Sequence, residues 1–159
     1  MRHLLAAAFL FPLPAVAQDG DVYLTPEQAA AYGYVAEPQV PTGKFTTAGE
    51  IKQLLLVTRG SWLALNEVNG QDYLYGTQVL SWRCGLAGFH ISINGGPMSR
   101  WEMPPCHEGT ASPNAFTETD GLPLIAFPLG SVQTATVELV LDDLSRIVTS
   151  FQRQDILMP

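Results

Sequence analysis

Residues 61–82 read SWLALNEVNGQDYLYGTQVLSW, and this stretch decides the fold class. Apolar and polar side chains alternate up to Val68. Asn69-Gly70 then supplies two residues that accept the positive φ angles of a type I′ turn, the strongest short hairpin signal. The return strand is expected to run to Trp82, with Tyr73, Tyr75, Thr77 and Val79 on one face and Leu74, Gly76, Gln78, Leu80 and Trp82 on the other.

The same period of two extends downstream. GFHISIN (88–94) places Phe89, Ile91 and Ile93 on one side and His90, Ser92 and Asn94 on the other, which predicts a half-buried strand with an outward-facing His90. LPLIAFPL (122–129) reads as a further strand. SVQTATVELVL (131–141) aligns Ala135, Val137, Leu139 and Leu141; Asp142, Asp143 and Leu144 turn the chain, and SRIVTSF (145–151) returns it as a second hairpin.

Upstream the period lengthens to that of a helix. Thr47 and Glu50 form a capping box for a helix expected to continue to Arg59, with Gly60 as its left-handed end. Ile51, Leu54, Leu55 and Thr58 share its buried face. A shorter helix is marked by Thr25 as N-cap, Pro26 at the first position, Gln28 completing a box and Gly33 as the stop. Pro38 and Pro41 make 37–43 an extended linker. The expected fold is therefore α+β: one or two N-terminal helices packed on an antiparallel sheet of about six strands, with one disulfide. Residues 18–45 form a lead-in and 46–159 a single domain.

The N-terminus, MRHLLAAAFLFPLPAVA, carries a basic start at Arg2, an apolar run from Leu4 to Leu13 and the small-x-small ending Ala15, Val16, Ala17. Residues 1–17 are expected to be a cleaved signal peptide, with the cut before Gln18. The apolar run is too short to span a bilayer, for which about 20 residues are needed. Loss of Arg2 leaves seven basic residues against fifteen acidic ones, a net charge of −8. Such a surface repels phosphate backbones, so nucleic acid is excluded as a partner. A periplasmic or secreted, soluble protein is expected. In that setting Cys84 and Cys106 pair as a disulfide, closing a loop of about 23 residues and contributing roughly 3 kcal/mol.

Between Gly95 and Gly121 the period is lost, and a structureless connection of this length in a compact domain is either functional or a misassigned stretch that holds elements of its own. Cys106 ties it back to Cys84. Met98, Arg100, Trp101, Met103, His107, Asn114 and Phe116 are its candidate binding residues, with Trp101 set between Arg100 and Glu102.

Catalytic constellations are weak by comparison. Ser81 with His90 or His107 and Asp72 or Asp120 can be drawn as a triad, but no G-x-S-x-G turn supports it. Met98, Met103, Cys106 and His107, near His90 and Cys84, are copper-type ligands in an order that matches no copper site. Asp142-Asp143 reads as a turn rather than a catalytic pair. No catalytic residue, metal site or cofactor is assigned.

The run TTAGEIKQLLLVTRGSWLALNEVNGQDYLYGTQVLSWRCGL (46–86), with PPC (104–106) and SPNAF (112–116), resembles a set of short exported proteins of Gram-negative bacteria. The likeness covers Thr46 to about Phe116. It implies a periplasmic address and brings no activity, ligand or catalytic residue. The expected function is a non-catalytic binding or accessory protein whose partner is an unknown protein or small-molecule ligand, one version being an inhibitor of a secreted hydrolase. The alternative is a small periplasmic metal-binding protein or enzyme that uses His90 and His107.

Overall fold

The computed structural model describes residues 22–159, so the signal-peptide expectation at 1–17 lies outside the described residues. In chain order the elements are β1 (Val22–Tyr23), α1 (Pro26–Tyr32), α2 (Ala48–Val57), β2 (Ala64–Val68), β3 (Gln71–Tyr75), α3 (Thr77–Leu80), β4 (Leu86–Ile93), β5 (Ser99–Arg100), β6 (Leu124–Pro128), β7 (Thr134–Leu141), β8 (Ser145–Gln152) and α4 (Arg153–Ile156). The fold is α+β with antiparallel pairing throughout both sheets. The strands divide into a five-stranded sheet, β1-β8-β7-β4-β5, and a three-stranded sheet, β2-β3-β6. Alternation marks which residues are strands but not which strands pair, so this division is visible only in three dimensions.

Local signals hold at both predicted turns. Asn69 and Gly70 take φ of 51° and 76° between β2 and β3. Asp142–Leu144 joins β7 to β8, with Leu144 at φ 66°. The capping box at Thr25 and Gln28 and the left-handed Gly33 bound α1 as read from the sequence.

The expected strand to Trp82 ends early, at Tyr75. There the chain presses against an aromatic stack: a Cβ on Gly76 would lie 3.0 Å from the Phe89 ring and 3.2 Å from the Trp101 ring. The chain then coils into α3, which lets the consecutive residues Val79 and Leu80 both become fully buried. A strand would have pointed them to opposite faces. Gly60 differs too. α2 stops at Val57, a 3-10 turn covers Arg59–Ser61, and Gly60 is not among the positive-φ residues. The turn brings Trp62 back so that its Nε1 donates to the Leu55 carbonyl at 2.9 Å.

Strand β4 is not half-buried as expected. Phe89 and Ile91 enter the core, and His90 and Ser92 on the other face are only 3% and 7% exposed. The lead-in covers His90, and the Ser92 hydroxyl donates to the Gly96 carbonyl at 2.6 Å. Tyr32 stacks on the His90 ring at 4.5 Å, and the Tyr34 hydroxyl lies 2.9 Å from His90 Nε2. A Cβ on Gly88 would sit 2.1 Å from the Tyr34 oxygen, so only glycine admits the arm this closely. Burial pushes the His90 imidazole below its ordinary pKa, against the opposing pull of Glu138. A surface imidazole was expected here.

The main core gathers Ala48, Ile51 and Leu55 of α2 with Trp62, Leu65, Leu74, Phe89, Val137 and Leu139. Each fully buried large aliphatic side chain contributes about 1.5–3 kcal/mol. No described helix is long and apolar enough to cross a membrane. Cys84 and Cys106 are joined, with Cα atoms 4.9 Å apart. Reduction should therefore raise the thiol count from zero to two and lower the unfolding free energy by about 3 kcal/mol in urea titration. An unchanged midpoint would refute that stabilising role.

Candidate functional site

Three features of the sequence, distant along the chain, meet beside the disulfide. The first is Glu50. It closes the predicted capping box and also reaches back over the linker, accepting from the backbone N–H of Thr42 at 2.9 Å, Gly43 at 2.5 Å, Thr46 at 3.0 Å and Thr47 at 3.2 Å. Burial pushes this carboxyl up, but the donors at Thr46, Gly43 and Thr42 outweigh it and hold it at about 2. Residues 42–47 are thereby folded into a fixed turn. Phe45 within it takes a left-handed φ of 58°.

The second feature is Asp142. Its neighbour Asp143 fulfils the turn reading, accepting from Ser145 N–H at 2.8 Å. Asp142 itself is 3% exposed. Its Oδ1 accepts from the Ala48 N–H at 2.7 Å, at the start of α2, and from the Gln39 amide at 2.8 Å. Its backbone bonds Gly85 and Glu37. Oδ2 has no partner among the described residues. Burial raises the pKa of this carboxyl, with Glu37 and Asp143 adding to the rise.

The third is the stapled loop. Its order comes from Arg83, 3% exposed, whose guanidinium donates to the carbonyls of Leu80, Pro105, Asn114 and Ala115 and to the Asp120 carboxylate. Asp120 also holds His107 Nε2 at 2.9 Å and takes the Thr117 N–H at 2.7 Å. The His107 hydrogen bond, with Thr117 and Arg83, keeps its carboxyl below the usual range. The Asn114 side chain accepts from Cys84 N–H at 2.9 Å and donates to the Phe45 carbonyl at 2.8 Å. The Gly95–Gly121 connection is therefore fixed by polar contacts to distant residues, with β5 its one regular element.

A cleft of about 400 Å³ opens between the linker and this loop, with Glu37, Lys44, Thr47, Cys84, Glu108 and Asp142 on its walls. Lys44 Nζ is turned to the Thr110 carbonyl at 2.9 Å. On the far side of Lys44 and Pro113, which both cavities share, lies a smaller pocket of about 240 Å³ walled by Phe45, Trp82 and Asn114.

Of the loop residues proposed from the sequence, Asn114 reaches the smaller pocket. Trp101 is 4% exposed and stacks on Phe89 with centroids 4.7 Å apart. Met103 and Phe116 pack against the core, and Phe116 lies beneath Arg83 at 4.9 Å. Arg100 lies over the Tyr34 ring at 5.6 Å, on the face covered by the lead-in. Met98 is exposed, and His107 is held by Asp120. Cys84 and Cys106 form the staple. Ser81 donates to the Thr77 carbonyl, and Asp72 pairs with Arg153, so neither belongs to a triad with the histidines. Among the described residues no three His, Cys, Asp or Glu side chains are grouped to hold a metal ion.

No protein-family model, no curated protein and no solved structure matches the chain. The cleft must be read from its own chemistry.

Sequence reasoning missed Arg83, Asp142 and Phe45. Arg83 stood beside Cys84 in what read as a strand end. Asp142 was absorbed by the turn. Only Glu50 carried a signal, through its capping box, and that signal stopped at the helix.

Proposed function

We propose that this chain is a non-catalytic binding protein working outside the cytoplasm, periplasmic or secreted, and that its cleft receives a cationic side chain from a protein partner. The version we favour is inhibition of a basic secreted hydrolase. The observation that carries the reading is Asp142, a carboxylate in the cleft wall, 97% buried, with one oxygen bonded on both sides and the other unpaired. Leaving such an oxygen unsatisfied is costly; it is closed to solvent in this conformation, so an ammonium or guanidinium reaches it by displacing the cleft wall slightly, and the bond then removes that cost.

Charge supports the same partner. Glu37 and Glu108 join Asp142 on the cleft, against Lys44, whose ammonium is already engaged by Thr110. The whole chain carries −7, which steers a basic protein towards it. The enzyme or metal reading has less behind it, because His90 and His107 sit in separate networks, with Tyr34 and Asp120 respectively.

The test uses the chain from Gln18, with lysozyme as a basic hydrolase and acetyl-arginine amide as a minimal probe. A cation binds the ionised form of Asp142. Because burial raises the pKa of that carboxyl, affinity should be weak below it and grow as pH rises through it. Calorimetry over a pH series should show this rise, and Asp142→Asn should abolish it and weaken binding by about tenfold. Equal affinity in wild type and variant would overturn the cleft assignment. Undiminished activity of lysozyme and of periplasmic proteases in excess binder would sink the inhibitor version.

A further inference from the structure

We infer that the pocket walled by Phe45, Trp82 and Pro113 is a second subsite, which accepts an apolar side chain adjoining the cationic one, so that the ligand is a peptide segment pairing a basic with an apolar residue. The inference rests on the proposed cleft function and names what that cleft would recognise.

Three independent observations meet in this pocket. Phe45 is 44% exposed although its ring is fixed edge-on to Trp82, with centroids 5.3 Å apart. Large rings held at the surface by a rigid scaffold serve recognition at low entropic cost. The backbone beneath that ring is left-handed, φ 58°, a conformation that a non-glycine residue adopts at a cost and keeps only where its surroundings enforce it. Those surroundings are the Asn114 amide on the Phe45 carbonyl and the Glu50 carboxylate on the turn behind. Lastly, Trp82 forms part of the wall, and its Nε1 is buried with no acceptor among the described residues. A buried indole N–H normally finds a partner; this one is closed to solvent, so a peptide carbonyl reaches it only as the bound segment displaces the pocket wall slightly.

Adjacency supplies the rest. Lys44 and Pro113 line both cavities, so one short segment can fill them together. The carboxylates of the larger cleft fix the sign of one side chain, and the rings fix the apolar character of the next. A sugar could also lie on aromatic rings, but the acidic neighbour gives a neutral sugar no added recognition, so the peptide is favoured.

The experiment is an NMR titration of the chain from Gln18 with four capped dipeptides: Arg-Phe, Phe-Arg, Arg-Gly and Gly-Phe. One of the two mixed peptides should bind about tenfold more tightly than Arg-Gly. Phe45→Gly removes the ring at a backbone position where glycine is at ease, so this variant should stay folded and lose the gain while binding Arg-Gly as before. Trp82→Phe removes the indole N–H, keeps a ring, and should lose part of the gain. Equal affinity for Arg-Phe, Phe-Arg and Arg-Gly overturns the subsite, as does a gain that survives Phe45→Gly. Tighter binding of chitotriose than of any dipeptide, lost in Phe45→Gly, overturns the peptide assignment. Arg-Gly binding that ignores Asp142→Asn marks failure of the cleft itself, a result separable from all of these.

Discussion

Arg83→Met should destabilise the protein by about 3–5 kcal/mol, the usual cost of removing one partner from a buried ion pair. The side chain is 1% exposed and satisfies four carbonyls and one carboxylate, drawn from Leu80 and from four positions between Pro105 and Asp120. Methionine retains the apolar stem and removes every donor, leaving Asp120 buried with only His107 and Thr117 to face it. The melting temperature should fall by roughly 10–15 °C, and hydrogen exchange should quicken first in 105–120. Arg83→Lys should rescue little, because one ammonium with three donors cannot replace a planar fork spread over five acceptors. Rescue by lysine, or a shift of only a degree or two in Arg83→Met, would show that the disulfide alone orders the loop.

The second large effect concerns a separate network, with no residue in common with the first. Asp72 on β3 is fully buried and accepts from Arg153 at 2.7 and 2.9 Å and from the N–H groups of Gly130 and Val132. Arg153, at the start of α4, also bonds the Val132 carbonyl at 2.6 Å and the Glu67 carboxylate. One bidentate pair thus joins the small sheet, the β6–β7 turn and the C-terminal helix. Asp72→Ala should lower the unfolding free energy by about 3–5 kcal/mol. The double variant Asp72→Ala/Arg153→Met should lose less than the sum of the two single changes, since the second removes a charge already stranded. Additive losses in urea titration would refute the coupling. The Arg153 hydrogen bond first, with Gly130 and Val132, holds the Asp72 carboxyl far below its ordinary range. Its stabilising contribution is therefore complete above the unfolded value near about 4 and fades only as pH falls below it.

Both predictions rest on residues that no motif announced. Legible features were local. Thr25, Gln28 and Gly33 bound a helix because capping involves neighbours three or four positions apart, and Asn69-Gly70 turns the chain through its own φ angles. The alternation of Ala135, Val137, Leu139 and Leu141 foretold a buried face, and all four are fully buried. Two cysteines allow one intramolecular pairing, and it forms. The loop aromatics misled for a physical reason. A tryptophan in a proline-rich segment carries no mark of the surface above it, and Trp101 stacks on Phe89 in room left by a glycine 25 positions earlier.

The sequence by itself determined the α+β class, the two hairpin turns, the caps of α1 and the staple, because periodicity, backbone preference and cysteine count act over a few residues or leave no choice; where β3 and α2 end was decided by packing. Only the tertiary structure decided that His90 is covered by the lead-in, that Arg83 organises the loop, and that Asp142 faces a cleft. Asp142 meets Ala48 and Gln39 across 94 and 103 residues of chain, and Arg83 meets Asp120 across 37. Burial and partnership at such separations are properties of the assembled core, and no local pattern encodes them.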